Sequence, residues 1–178
     1  MRRLRSGVLM LAIAWGVRAG EWSAPVEVRH DEEVAVAYRA RVDGPWLVVR
    51  ATLGPGWHTF AMDNKRRSDE KLAGKKALSV DKPTEITAVA GLEFAGEWHQ
   101  SPPKDFSHPE LRWFSWGFER EAVFAVKLRR PPDTMGRLEI RGQACTDTVC
   151  KNIDVSLAVP AGGGAATEIN VKDLVPVR

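Results

Sequence analysis

The 178-residue chain is long enough for one domain with a real core and short for two. Its formal charge of +3 originates in residues 1–19, where Arg2, Arg3, Arg5 and Arg18 stand without an acid; without these four, the 26 basic residues drop to 22 against 23 acidic ones. That balance excludes a nucleic-acid binder acting through bulk charge. The basic clusters in NKRRSDEKLAGKK and KLRRPP are broken by acids and turn formers and read as solvated loops.

In chain order, the first element is a leader. The arginines precede the apolar run GVLMLAIAWGV, which exits through the small-residue stretch VRA before Gly20, the three-part layout of a secretory signal over residues 1–19. The run is too short for a stable anchor, and no later apolar run approaches membrane length. The expectation is an exported chain, periplasmic or secreted, with no membrane insertion after signal cleavage.

Residues 20–160 then carry several short runs with strand character: EVAVAYRARV, WLVVRATL, KALSV, ITAVAGLEF, EAVFAVKL, RLEIRGQA and IDVSLAV. In the first, Val34, Val36, Tyr38 and Ala40 share one face, while the other becomes charged at Arg39 and Arg41. Phe124, Val126 and Leu128 repeat the pattern. Turn chemistry separates the runs at VDGPW, LGPGW, DKPTE and RRPPDTMG. The charged segment from Asp63 to Lys76 has room for a helical turn but lacks an apolar face. Short strands without intervening helices predict an all-β, immunoglobulin-like antiparallel sandwich. Residues 161–178 open with AGGGAA and read as a flexible tail, whose end INVKDLVPVR either adds an edge strand or stays loose.

The connection EWHQSPPKDFSHPELRWFSWGFE is long and rich in aromatics, and long ordered loops tend to be functional. Trp98, Phe114 and Phe118 read as rings plugging the sandwich. Phe106, set between Asp105 and Ser107 after two prolines, is the better candidate for a movable ring.

Both cysteines, Cys145 and Cys150, lie in RGQACTDTVCKNIDVSL between two strand-like runs. In an oxidising compartment two such neighbours pair unless something reduces them. Three readings stay open. As a permanent staple the closed loop is worth only about 2 kcal/mol, low for a disulfide. As a metal claw the pair needs further donors, and His30, His58, His99 and His108 are scattered, so no metal or cofactor is expected. As a redox switch it needs a thiolate, access and a resolving thiol, and not the two-residue spacing of thioredoxin. Lys151 favours a thiolate at Cys150, whereas Asp147 opposes one at either sulfur.

The run GQACTDTVC between RLEI and IDVSLAV, with the upstream GPGWHTF and EWHQSPPKDF, resembles the periplasmic N-terminal domain of the thiol:disulfide interchange protein DsbD. The likeness covers about Val26 to Val159. It implies an immunoglobulin-like sandwich whose Cys150 attacks and forms the mixed disulfide, whose Cys145 resolves it, and whose cap ring is Phe106. It also implies thioredoxin-fold partners, a link to cytochrome c biogenesis and electrons drawn from a membrane-embedded partner; since this chain stops where full-length family members continue into a membrane domain, the expected reductant is a separate membrane thiol reductase. The sequence departs from the family pattern in carrying KNID after the second cysteine, where prolines are common, and four rather than five residues between the sulfurs. A protein-disulfide reductase component is thus the expected function. The alternative is a secreted binding or adaptor domain with an inert disulfide.

Overall fold

The alternating runs pair into two antiparallel sheets in a computed structural model that describes residues 20–77, 81–163 and 170–178. The leader read over residues 1–19, most of KALSV and the centre of the glycine-rich linker lie outside the described residues. The first sheet is ordered β1 (Val26–His30), β2 (Glu33–Asp43), β3 (Trp46–Leu53), β9 (Glu121–Lys127), β6 (His99–Gln100), β12 (Val175–Pro176). The second runs β11 (Cys150–Val159), β10 (Gly136–Cys145), β4 (His58–Phe60), β8 (Trp116–Glu119), β7 (Lys104–Asp105), and β5 (Glu85–Ala90) also pairs with β10.

Period-two patterning builds the layer between the sheets. Val36, Tyr38, Leu47, Val49 and Phe124 from the first sheet meet Leu138, Ile140 and Leu157 from the second, all fully buried. Phe118 is buried in this core, and Trp98 and Phe114 pack against it, as rings that plug the sandwich. The other face of β2 is less open than its charges suggest. Arg41 is 3% exposed because Trp22 lies over its guanidinium at 4.4 Å, with Arg50 on the same ring at 4.7 Å.

One segment differs from expectation, and the tail takes one of its two expected forms. Asp63 to Lys76, whose sequence offers room for a helical turn and no apolar face, holds the nine-residue helix α1 (Asn64–Leu72). Its buried stripe is Asn64, Ser68 and Leu72, polar at two of three positions and therefore invisible to an apolar-face search. Asn64 satisfies itself by accepting from the Trp116 amide at 2.7 Å and donating to the Asp81 carbonyl at 3.2 Å. The tail does not stay wholly loose: Val175 and Pro176 pair with Gln100 and His99, the edge-strand outcome.

Beside α1, the buried carboxylate of Asp63 collects donors. Gln100 Nε2 donates at 2.8 Å and Arg67 Nε lies at 2.9 Å, while Gln100 Oε1 accepts from the Met62 amide at 2.9 Å. The C-terminus closes the cluster, with the Arg178 amide reaching Asp63 at 3.5 Å and its oxygen accepting from Arg66 at 2.7 Å.

Candidate functional site

Ten consecutive residue pairs run from Gly136 opposite Val159 to Cys145 opposite Cys150 without a register shift. The hairpin tip is Thr146 to Val149, closed by the Thr146 amide donating to the Val149 carbonyl at 2.8 Å. Thr146 Oγ1 accepts from the Thr148 and Val149 amides at 3.3 and 3.2 Å, the local bonding that makes threonine a turn residue. The two cysteines are therefore the last opposed pair before the turn. They are joined as a disulfide with their Cα atoms 4.0 Å apart.

Parity decides which way the sulfurs face. Leu138, Ile140 and Ala144 point into the sandwich, so Cys145 stands on the outer face of the second sheet. It is nonetheless 3% exposed, because other segments cover that face, whereas Cys150 at the sheet edge is exposed. One sulfur is shielded and the other is accessible.

Register extends this pair into a row. His58 on β4 is opposite Cys145, and Glu119 on β8 is opposite His58. Glu119, His58, Cys145 and Cys150 thus cross four adjacent strands in line. Burial draws the His58 imidazole below its ordinary titration range, opposed by the negative charges of Asp81, Asp147 and Glu119.

Beside His58 runs a narrow hairpin arm. From β7 and β8, where Lys104 faces Gly117, pairing continues through the Phe106 amide donating to the Ser115 carbonyl at 2.9 Å, to a bridge between His108 and Trp113. Trp113 Nε1 donates to Asp81 at 2.8 Å and pins the arm to the segment before β5. From this arm the Phe106 ring stacks on the His58 imidazole, centroids 5.3 Å apart and planes 29° apart, with the Phe60 ring edge-on at 5.4 Å on the same imidazole. Gly117 leaves room: a Cβ there would lie 3.3 Å from the Phe106 ring and 2.1 Å from the Thr59 carbonyl oxygen.

Phe106, His58, Asp147 and both cysteines line one groove of about 1520 Å³. The structure therefore brings together Cys145, Cys150 and Phe106, the three residues singled out in the sequence. The ring rests on His58. Reading His58 only as a dispersed metal donor missed its place in the row, since strand pairing over 87 residues of separation leaves no local trace; the preceding Gly-Pro-Gly turn is the one sequence cue to where β4 starts. His108, against Trp113, borders the same groove, whereas His30 and His99 lie against Trp57 and Trp46.

The fold and site define an immunoglobulin-like sandwich with a cross-strand disulfide at the tip of a sheet-edge hairpin. A similar solved structure is the DsbD N-terminal domain of Neisseria meningitidis in its reduced form. The likeness covers 73% of this chain and 87% of that one, with a TM-score of 0.50 and 15% sequence identity. No family model and no curated protein matches the chain. The structural likeness is one of fold, and it coincides with the family that the cysteine motif resembles.

Proposed function

We propose that this chain is an exported thiol:disulfide interchange domain in which Cys145 and Cys150 cycle between dithiol and disulfide with thioredoxin-fold partners. The carrying observation is the unequal burial of the two sulfurs within a single groove. Exchange needs one sulfur within reach of an incoming thiolate and a second that resolves the intermediate without competing for the partner. Cys150 meets the first requirement and Cys145 the second.

In the reducing direction a partner thiolate attacks Cys150 Sγ. The Cys145–Cys150 bond breaks, Cys145 leaves with the electron pair, and a mixed disulfide joins Cys150 to the partner. The partner's second thiol then attacks its own sulfur in that bond and releases Cys150 as the second thiolate. Phe106, stacked at the groove, limits access until docking moves the arm. The donor in this reading is a separate membrane thiol reductase, and the compartment is the periplasm, reached through cleavage of residues 1–19. Among the described residues no helix is long and apolar enough to cross a membrane.

Titration of the purified domain against dithiothreitol and glutathione couples tests the reading. A midpoint within the range of thioredoxin-fold donors supports it. A bond that survives all but very strong reductants makes the disulfide a structural staple and the domain a binding module.

A further inference from the structure

Resting on that redox reading, we infer that His58 is the proton-exchange partner of the Cys145 sulfur, placed by strand register to take the thiol proton when Cys145 attacks and return one when Cys145 leaves.

The first ground is geometry. Directly opposed residues of an antiparallel pair project to the same face with Cβ atoms about 4.5–5.5 Å apart, within reach of an imidazole. Their chain neighbours Thr59 and Ala144 are fully buried on the inner side, which fixes His58 and Cys145 together on the outer side. The second ground is how the imidazole is held. Phe106 and Phe60 confine it by ring contacts, and neither ring nitrogen has a hydrogen-bond partner among the described residues. Here both nitrogens remain able to exchange a proton.

The third ground is need. Cys145 is 3% exposed, so its thiol is kept from bulk water and a resolving attack needs a base within reach to accept its proton. The charged groups around the imidazole suit that task. Glu119 flanks it from β8, Asp147 from the hairpin tip and Asp81 from the segment before β5. Asp105, His108 and Arg120 border the same groove, and Lys104 is engaged by Glu119 at 3.0 Å. Burial disfavours the imidazolium and holds the ring in its neutral, proton-accepting form, while the three carboxylates oppose that effect and stabilise the imidazolium once it forms.

The oxidising direction balances as follows. The Cys150 thiolate attacks a partner disulfide, forming a Cys150–partner bond and expelling the partner's other sulfur as thiolate. Cys145 passes its proton to His58 and its sulfur attacks Cys150 Sγ. The intramolecular disulfide forms, the partner bond breaks, and the partner leaves with both electrons as a dithiol after taking up two protons. One of those protons comes from the imidazolium. In the reverse direction the neutral ring takes the proton of the attacking partner thiol and, as imidazolium, passes it to Cys145 as Cys145 departs.

The test uses the reduced domain and glutathione disulfide as the partner, with acid quenching and mass spectrometry across pH 5 to 8, roughly the span in which imidazole titrates. In H58F, which keeps a ring in the stack, glutathionylated Cys150 should accumulate because resolution slows by about 100-fold, a typical loss for a missing proton acceptor. The wild-type resolution rate should carry an imidazole titration below the ordinary value of 6.5, and H58F should lack it. Added imidazole should partly restore resolution in H58A. H58Q provides the same comparison where H58F folds poorly by circular dichroism. Wild-type resolution with an unchanged pH profile in these variants overturns the inference. A wild-type disulfide that dithiothreitol cannot open, or a reduced Cys150 that glutathione never modifies, overturns the redox reading instead.

Discussion

Two polar clusters are reached through the same short strand β4: the His58 row begins at its first residue, and the Asp63 centre lies three residues past its last. At Asp63 the side chain is fully buried, and Gln100, Arg67 and the Arg178 amide all converge on it. Burial raises its titration point, but these partners outweigh burial and hold the carboxyl below its usual range. At His58 the ring is gripped only by other rings and faces a groove that contains an accessible disulfide. A fully partnered buried group has no capacity left for an incoming molecule, and it locks structure. A shielded group left without partners beside an open groove retains its chemistry.

The sharpest way to break this contrast is to remove the accessible sulfur. C150A should abolish exchange with glutathione disulfide while the domain stays folded, losing about 2 kcal/mol from the opened loop. Urea unfolding and a thiol assay read the two effects separately. Next in size, D63A strips a buried acceptor from its cations and should cost about 3 kcal/mol of stability. Its disulfide should exchange at the wild-type rate, and a large change there would join the two clusters into one unit.

F106A should act in the opposite sense, leaving stability nearly unchanged and speeding reduction by dithiothreitol several-fold, because the ring over the groove is gone. Slower reduction would make Phe106 a support for the site and not its cover. The smallest effect concerns acid. With the folded-state carboxyl of Asp63 below the unfolded value of about 3.8, the unfolded chain binds more protons between the two values. The stabilisation by Asp63 is therefore present above pH 3.8 and lost as pH falls through its lowered folded value, a slope that D63N should flatten.

Much of this architecture was legible beforehand. EVAVAYRARV, WLVVRATL, EAVFAVKL, RLEIRGQA and IDVSLAV all became strands, since period-two burial against a second sheet writes itself into the chain. The short strands β4, β6, β7 and β8 were not read, because two to four residues carry too little alternation and are held by neighbours distant in sequence. Helix α1 was under-read for the opposite reason. Its buried stripe contains Asn64, whose side chain is paired by Trp116 and Asp81, and Ser68, whose buried hydroxyl has no hydrogen-bond partner among the described residues. At the candidate site, the cysteine pair was evident from its spacing and Phe106 from its setting between prolines and polar residues. His58 was visible as one of four dispersed histidines and within the GPGWHTF run that supports the family resemblance, with no role attached to it.

The sequence by itself determined the sandwich class, the turn-bounded cysteine pair and the balanced charge, because each is written in near neighbours: alternation, spacing and composition. Tertiary structure alone decided that Cys145 is covered while Cys150 is open, and that an imidazole from β4 stands opposite the covered sulfur. Those facts depend on the register between strands far apart in the chain, and one step of slippage would send His58 to the other face of the sheet.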